Sequence, residues 1–369
     1  MKILVTGAKG FIGKNLIEEL KNQKYSDIYE YDLDSTLEDL ENYCKTCEFV
    51  FHLAGVNRPK NQNEFLEGNF GFTSILLEKL KNNNNKSPIM LSSSIQAAQE
   101  NLYGVSKKMG EDLLLSYSNE ANVKVLIYRF PNVFGKWCKP NYNSAIATFS
   151  YNIANNLPIQ INDPSVEMSL VYIDDLVNEL LKALKNEETK DGKLCKVEPV
   201  YKVKLGEIVN LLYSFKKSRE NLSIPNTEDE FTKKLYSSYL SYLSIDNFAY
   251  ELKMNIDNRG SFTEFLKTPD RGQISINISK PGITKGNHWH NTKIEKFLVV
   301  SGEGVVRFRK IHESNVIEYF VSAKKLQVID IPPGYIHTIE NLGAVDMVTV
   351  MWANEMFDPK NPDTIYMEV

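Results

Sequence analysis

The chain has 369 residues, of which 42% are hydrophobic and 24% charged, a composition typical of a soluble globular protein long enough for two domains. The net charge of -4 and the lack of a basic block argue against nucleic-acid binding and favour a small-molecule substrate. No run approaches the about 20 apolar residues of a membrane span. The four cysteines suggest no disulfide framework, so we expect a cytoplasmic protein without membrane insertion.

The first two thirds of the chain alternate short apolar strands with amphipathic helices. Strands separated by helices predict a parallel, doubly wound sheet, and we assign this α/β Rossmann domain to residues 1–244. The predicted strands are KILVTG (2–7), DIYEYD (27–32), EFVFHLAG (48–55), SPIMLSSS (87–94) and VKVLIYRF (123–130), and the first helix contains KNLIEELKN (14–22).

A glycine-rich turn follows the first predicted strand. Gly7, Gly10 and Gly13 stand in TGAKGFIG, between that strand and a helix. In this context glycines let the backbone approach a pyrophosphate at the helix N-terminus. Asp32 ends the second strand, where a carboxylate accepts hydrogen bonds from an adenosine ribose. The alternative is a purely structural turn, but the sequence favours dinucleotide binding.

Tyr103 and Lys107 lie four residues apart in YGVSK, so a helix would place the phenol and the ammonium side by side. A neighbouring cation lowers the pKa of a phenol from about 10. We therefore expect Tyr103 to exchange a proton with a substrate oxygen near neutral pH. Ser94, at the end of MLSSS, could hold the same oxygen. Taken alone, the pair would be an ordinary surface tyrosine and lysine.

These motifs, with HLAG and YRFPNVFG, resemble the extended short-chain dehydrogenase/reductase family, in the branch that acts on nucleotide sugars. The resemblance implies Tyr103, Lys107 and Ser94 as catalytic residues, although the short spacing leaves Ser92 and Ser93 open. No acid pair like that of sugar dehydratases follows the serines, which favours reduction. The implied cofactor-binding residues are Gly7, Gly10, Phe11, Ile12, Gly13, Asp32, Leu53, Ala54, Gly55, Tyr103 and Lys107, and Asn69 matches the family's helix asparagine.

From about residue 245 the sequence changes to closely spaced strand patterns. NRGSFTEF, QISINIS, EKFLVVSG, GVVRFRKI, VIEYFVS and LQVIDIP alternate or run β-branched, with turn residues between them. This pattern predicts an all-β barrel or sandwich in residues 245–369.

Four possible metal ligands lie in this second part. His288 and His290 would face the same side of a strand, Glu295 could return after a short turn, and His337 follows in PPGYIH. Three histidines and one glutamate suit zinc, with iron, nickel or manganese as alternatives.

The spacing G-x5-HxH-x4-E-x6-G from Gly282 to Gly302, and PxG-x2-H-x3-N from Pro332 to Asn341, resembles the two motifs of the cupin family. DNRGSFTE and NISKPGITKGNH further resemble the cupin sugar-nucleotide 3,5-epimerases, whose catalytic histidine aligns with His288. The resemblance implies that His288 is a metal ligand, the base, or both in different states. The metal would polarise a ketone if it is catalytic, and a structural metal is the alternative.

Over its whole length the chain resembles a family of bifunctional enzymes of capsular polysaccharide synthesis, in KWCKPNYNSAIATF, TPDRGQ and MWANEMFDP among other segments. The implied substrate is a UDP-2-acetamido-2,6-dideoxy-4-hexulose. The cupin domain would invert C3, and the Rossmann domain would reduce the C4 ketone to UDP-2-acetamido-2,6-dideoxy-L-talose, a precursor of N-acetyl-L-fucosamine. Reduction must come last, because the C3 proton is acidic only while C4 is a ketone. We also expect a homodimer.

Several points stay open from the sequence. The resemblance implies NADPH, whereas Asp32 and Asp34 would repel its 2′-phosphate and leave NADH possible. Lys136, Lys139 and Arg129 could contact the UDP phosphates or be solvated surface cations. Alternative functions are a 4-epimerase with permanently bound NAD, a non-catalytic dinucleotide-binding sensor, and a cupin that serves only dimerisation.

Overall fold

The computed structural model describes residues 1–369 and divides them into two units. The first unit consists of Met1–Tyr213 and Glu228–Ser244, and the second of Ser214–Thr227 and Ile245–Val369. No helix of either unit is long and apolar enough to cross a membrane.

The first unit alternates strands and helices. In chain order they are β1 (Lys2–Thr6), α1 (Phe11–Asn22), β2 (Asp27–Tyr31), α2 (Leu37–Thr46), β3 (Phe49–His52), α3 (Asn63–Leu66), a π-helical turn (Glu67–Gly71), α4 (Phe72–Asn82), β4 (Ile89–Ser94), a 3₁₀ turn (Ile95–Ala98), α5 (Leu102–Ala121), β5 (Val125–Phe130), β6 (Asn132–Phe134), α6 (Ala145–Ala154), β7 (Glu167–Tyr172), α7 (Ile173–Leu184), β8 (Lys190–Asp191), β9 (Leu194–Cys195), β10 (Tyr201–Lys204), α8 (Leu205–Asn221) and α9 (Glu230–Leu240). Helix α8 passes from the first unit into the second.

Seven strands form the main sheet of the first unit, in the order β2-β1-β3-β4-β5-β9-β8, and β10-β7-β6 form a smaller one. The strands from β2 to β5 pair in parallel. The apolar runs of β1 and β3 are buried almost throughout, as expected where helices cover both faces of a parallel sheet. The strand order reverses between β1 and β3, and sheets of this kind bind ligands beyond the carboxyl ends of those strands. The predicted doubly wound α/β fold is confirmed.

The second unit consists almost entirely of antiparallel strands. After a 3₁₀ turn (Ile245–Asn247) come β11 (Met254–Asp257), β12 (Gly260–Thr268), β13 (Gly272–Ser279), β14 (Thr284–Trp289), β15 (Glu295–Ser301), β16 (Glu303–Lys310), β17 (Val316–Ser322), β18 (Val328–Ile331), β19 (Tyr335–Asn341), β20 (Met347–Ala353) and β21 (Ile365–Tyr366). The earlier segment Ser214–Thr227 joins this unit through Lys267, whose backbone N–H donates to the carbonyl of Leu222 at 2.8 Å.

The strands of the second unit form two sheets, β11-β12-β13-β20-β15-β18 and β17-β16-β19-β14-β21. Both sheets contribute to one apolar core, so their inner faces pack against each other. Its buried members are Phe297, Val299, Val306, Phe308, Val321, Ile329, Ile331, Ile339 and Met347. The predicted all-β fold is confirmed, and the structure shows that its strands pair antiparallel.

Candidate functional site

The glycine turn that follows β1 lies close against the loop that follows β3. Gly7 has a φ of +69°, a conformation that favours glycine, and a Cβ there would lie 2.8 Å from the backbone nitrogen of Ala54. A Cβ at Gly13 would lie 2.3 Å from the carbonyl oxygen of Gly7. Neither position can carry a side chain unless the turn or the start of α1 moves.

Helix α1 begins directly after this turn and points its first N–H groups toward the crevice end of the sheet. Gly10 is its N-cap and contributes no side-chain bond, and Phe11 and Ile12 open a first turn that contains no acidic residue. Leu53 continues from β3 and donates its backbone N–H to Thr6 at 3.1 Å. The turn therefore offers N–H donors that suit an anion such as a pyrophosphate.

Two carboxylates and one ammonium lie at the end of β2. Asp32 accepts hydrogen bonds from the backbone N–H of Lys9 at 2.7 Å and from that of Leu33 at 2.8 Å. The ammonium of Lys9 is itself paired with Asp34. Asp32 is thus held beside the glycine turn, and the group as a whole carries a net negative charge.

Helix α5 places Tyr103 and Lys107 side by side. Asn101 caps the helix, because its side-chain oxygen accepts a hydrogen bond from the N–H of Gly104 at 2.8 Å. The Nζ atom of Lys107 lies 5.9 Å from the centre of the Tyr103 ring and donates to the carbonyl of Ser92 at 3.1 Å. The ammonium is therefore fixed between the strand β4 and the phenol.

Burial changes the ionisation of both groups. Lys107 is 8% exposed, and burial lowers its pKa to about 8 although Glu111 acts to raise it. Burial also raises the pKa of Tyr103, and the neighbouring Ser94 offsets only part of that rise. The expected lowering of the Tyr103 pKa is therefore wrong, because desolvation of the buried phenol dominates and the Lys107 ammonium is not among the groups that shift it.

The three serines at the end of β4 have different surroundings. Ser93 donates to Glu111 at 2.5 Å. Because side chains alternate along a strand, Ser92 and Ser94 point to the face opposite Ser93. Ser94 is the serine beside Tyr103 and acts to lower the pKa of its phenol. The Ser94 hydroxyl lies where a substrate oxygen could bind both groups.

Asn69, in the π-helical turn, connects the loop after β3 to α5. Its amide donates to the carbonyl of Val56 at 2.9 Å and to the hydroxyl of Ser106 at 3.0 Å, and its oxygen accepts from the N–H of Val56 at 3.0 Å. A Cβ at Gly55 would lie 2.7 Å from that oxygen and 2.8 Å from Nζ of Lys107. The loop after β3, Asn69 and Lys107 therefore meet at one place.

Two of the three cations considered for the UDP phosphates are already paired. The guanidinium of Arg129 donates to both oxygens of Glu111, at 2.8 and 2.6 Å. The ammonium of Lys136 pairs with Asp174 at 2.5 Å. Lys139 lies over an aromatic ring, with its Nζ atom 5.4 Å from the ring centre. The pairing leaves Lys139 as the strongest of the three candidates.

Arg58, which follows the HLAG motif in VNRP, was not predicted from its sequence position. Its guanidinium donates to the backbone carbonyls of Asn141 and Tyr142, and it lines a cavity of about 430 Å³. The other polar lining residues are Asn141, Tyr142, Asn143, Ser144 and Thr148. The position of Arg58 just beyond the carboxyl end of β3 is the sequence feature that could have identified it as a candidate site residue.

The four possible metal ligands of the second unit form one cluster. The candidate ligand atoms of His288, His290, Glu295 and His337 all lie within 4.8 Å of one another. His288 in β14 pairs directly with His337 in β19, and Glu295 is the first residue of β15. The His288 ring centre is 4.9 Å from that of His290 and 4.4 Å from that of His337. Both sheets therefore contribute to the cluster.

Three buried nitrogen atoms of this cluster lack hydrogen-bond partners. The Nε2 atoms of His290 and His337 each lie 3.4 Å from the same oxygen, Oε2 of Glu295. Both Nε2 atoms, and Nδ1 of His337, are buried and form no hydrogen bond. Buried polar atoms without a partner are unfavourable, so these residues fit a divalent cation that would bind them.

The protonation states also suit metal binding. Burial, with the neighbouring His337 and His290, lowers the pKa of His288 to about 4. Burial would raise the pKa of Glu295, but the two buried histidines and Lys293 lower it well below its usual range. At neutral pH the cluster therefore offers a neutral His288 ring and a carboxylate, the forms that bind metals.

Two family models match the chain, one in each part. Residues 3–197 match the NAD dependent epimerase/dehydratase family, and residues 255–365 match the polysaccharide biosynthesis C-terminal domain. The two matches fall on the α/β part and the all-β part of the chain.

Relatives cover the full length. The chain is 43% identical over 369 residues to UDP-2-acetamido-2,6-beta-L-arabino-hexul-4-ose reductase of Pseudomonas aeruginosa, with 99% of this chain and 98% of the relative covered. The crystal structure of capsular polysaccharide assembling protein CapF from Staphylococcus aureus matches with 55% identity, a TM-score of 0.95 and full coverage of both chains. A structure of CapF with the inhibitor 3-isopropenyl-tropolone also matches over both full chains, with 52% identity and a TM-score of 0.91. The whole-length resemblance to capsular polysaccharide enzymes is confirmed.

Proposed function

Because the chain belongs to the NAD dependent epimerase/dehydratase family, we propose that it is a nucleotide-sugar enzyme with two active sites. Its substrate would be a UDP-2-acetamido-2,6-dideoxy-4-hexulose, inverted at C3 in the second unit and then reduced at C4 in the first. One observation carries the proposal: a tyrosine–lysine pair beside a dinucleotide turn occurs in the same chain as a buried cluster of three histidines and a glutamate. The product would be UDP-2-acetamido-2,6-dideoxy-L-talose, made by a cytoplasmic homodimer.

In the reductase site Tyr103 would give its proton to the C4 oxygen. Its raised pKa supports this role, because the phenol stays protonated at neutral pH. Lys107, with a pKa of about 8, is mostly charged at pH 7 and would stabilise the phenolate left behind. Ser94 would hold the same oxygen by a hydrogen bond. The reduced nicotinamide, when bound, supplies the hydride.

In the epimerase site His288, His290, Glu295 and His337 would hold a divalent cation, for which this ligand set favours zinc. The cation, when bound, supplies Lewis-acid polarisation of the substrate carbonyl. His290 and His337 are each 1% exposed, whereas His288 is only partly buried. We therefore assign proton transfer at C3 to His288, in a state in which its ring is not bound to the cation and His290, Glu295 and His337 would hold it.

Hydrogen exchange at C3 tests the proposal. The zinc-loaded protein is incubated with the 4-keto sugar nucleotide in heavy water, with and without dinucleotide, and followed by NMR. Deuterium should enter C3 without dinucleotide, because the proton is acidic while C4 is a ketone. Added dinucleotide should then be consumed as C4 is reduced. A protein that neither exchanges this hydrogen nor consumes dinucleotide would contradict the proposed function.

The charges beside the glycine turn favour NADH over the NADPH that the resemblance implies, because Asp32 and Asp34 would repel a 2′-phosphate. We expect Asp32→Ser to lower kcat/KM with NADH by about 10- to 100-fold, since a hydrogen bond to a charged group is worth about 1.5–3 kcal/mol. The same change should raise kcat/KM with NADPH. The measurement is initial reduction rate at varied concentrations of each dinucleotide.

Glu30→Gln is the matched control for that experiment, because it removes another carboxylate of β2 that does not bond to the glycine turn. Its ratio of kcat/KM for the two dinucleotides should equal the wild-type ratio. A wild-type protein that prefers NADPH, with a ratio unaffected by Asp32→Ser, would show that Asp32 does not set the preference.

A further inference from the structure

The last residues of the chain lie along β14, the strand that carries His288 and leads directly into His290. Strand β21 pairs with β14 at His288 and Trp289. Beyond it, the backbone N–H of Met367 donates to the carbonyl of Asn287 at 3.0 Å. The segment 358–369, which we call the C-terminal tail, thus forms the edge of the sheet beside the cluster.

One side chain of the tail holds the loop that joins β14 to β15. The carboxylate of Asp363 accepts hydrogen bonds from the backbone N–H groups of Asn291 at 2.9 Å, Thr292 at 2.7 Å and Lys293 at 2.9 Å. The side chains of Asn291 and Thr292 also donate to it, at 2.9 and 3.2 Å. Five donors on three consecutive residues therefore converge on one carboxylate.

This loop lies between two members of the cluster, His290 and Glu295, and Asp363 reaches both. Its backbone carbonyl accepts the hydrogen bond from Nδ1 of His290, and the Nε2 atom of the same ring faces Glu295 at 3.4 Å. Lys293, whose backbone Asp363 holds, pairs through Nζ with Oε1 of Glu295 at 2.9 Å. The other carboxylate oxygen, Oε2, is the one that faces His290 and His337.

We propose that Asp363 is a positioning residue of a divalent-cation centre. The C-terminal tail would then help to set the ligand geometry of that centre, in addition to forming the edge of the sheet. The inference rests on the proposed metal-binding role of the cluster. Partners that orient a metal-bound histidine and carboxylate set the ligand geometry and basicity. Asp363 orients His290 through its backbone carbonyl, and its carboxylate holds the loop between His290 and Glu295, so loss of the carboxylate would disturb both ligands by releasing that loop.

The test measures zinc affinity of the full-length protein by competition with a chromophoric chelator. Asp363→Asn keeps the size of the side chain but replaces one acceptor oxygen with a donor amide. We expect zinc to bind about 10- to 100-fold more weakly, the usual effect of removing such a supporting group. The visible spectrum of the cobalt-loaded variant should also change, because it reports ligand geometry.

Asp358→Asn is the matched control, because Asp358 lies in the same tail but bonds only to the tail itself, at Lys360 and Asn361. Its zinc affinity should equal that of the wild type. Lys293→Met, which keeps the backbone N–H and removes only the ammonium on Glu295, should weaken zinc binding by less than Asp363→Asn does. This second variant also provides a result if Asp363→Asn folds poorly.

Zinc affinity and cobalt spectrum unchanged in Asp363→Asn would overturn the inference, even if the melting temperature fell, because only the stability of the edge would then depend on Asp363. The outcome is separate from the test of the proposed function. A wild-type protein that binds zinc in this way but exchanges no hydrogen at C3 would contradict the proposed reaction and leave the role of Asp363 intact.

Discussion

Hydrogen exchange at C3 should fall by about 10³-fold or more in the variant His337→Ala, since Lewis-acid polarisation by a metal is worth several kcal/mol. His337 is 1% exposed, and its Nε2 atom lies 3.4 Å from Oε2 of Glu295. Alanine removes this ligand and leaves a small buried space that no other side chain of the cluster can fill with a donor nitrogen. The measurement is deuterium incorporation at C3 by NMR, without dinucleotide.

His312→Ala is the control for this prediction, because His312 is exposed and lies outside the cluster. Its exchange rate should match the wild-type rate. Removing metal from the wild-type protein with a chelator should reproduce the effect of His337→Ala, and zinc should restore exchange. If exchange persists in His337→Ala, the second unit does not catalyse it through this cluster, and the dimerisation module becomes the better explanation.

Reduction of the C4 ketone should fall by about 10²- to 10⁴-fold in Tyr103→Phe, the range typical of removing a general acid. The phenol is the group that Ser94 and Lys107 adjoin, and its raised pKa keeps the proton on it at neutral pH. Hydrogen exchange at C3 should not change, because that reaction uses none of these groups. Both rates can be measured on one sample, by dinucleotide absorbance and by NMR.

Tyr117→Phe is the matched control, since Tyr117 belongs to the same helix and its hydroxyl donates only to the carbonyl of Asn85, at 3.3 Å. The reductase rate of this variant should stay at the wild-type level. An unchanged rate in Tyr103→Phe would mean that Tyr103 is not the proton donor. Dinucleotide that stays bound through purification, with no net oxidation during turnover, would instead favour a 4-epimerase.

The fold was predictable because its signals are local. Alternating strands and helices predict the parallel sheet, and the close strand spacing after residue 245 predicts the all-β unit. The predicted boundary at residue 244 assigns the segment 214–227 to the first part of the chain. Its place in the second unit depends on a contact between Leu222 and Lys267, which no local pattern encodes.

The site residues could be predicted only where they belong to a sequence motif. Residue spacing was enough to select the four clustered residues, and the glycine turn. Asp363 lies about 70 positions from the loop that it holds, in a stretch without a motif, so its role depends on how the tail pairs with β14. The predicted direction of the Tyr103 pKa shift was wrong for a related reason. Desolvation of the phenol depends on tertiary packing, which residue spacing along a helix does not describe.

The burial of Lys107 makes its charged form unfavourable for folding, although the proposed reaction needs that charge. Its pKa of about 8 is below the 10.5 of a free lysine, so the folded chain holds the proton less tightly than the unfolded chain does. The contribution of Lys107 to stability therefore rises as pH increases from about 8 toward 10.5, whereas half of the charge needed to support a phenolate is already lost at about pH 8. At neutral pH the protein keeps an ammonium group at a buried position that disfavours its charge. Deeper burial of Lys107 would lower its pKa further and leave less of the charge that supports the phenolate.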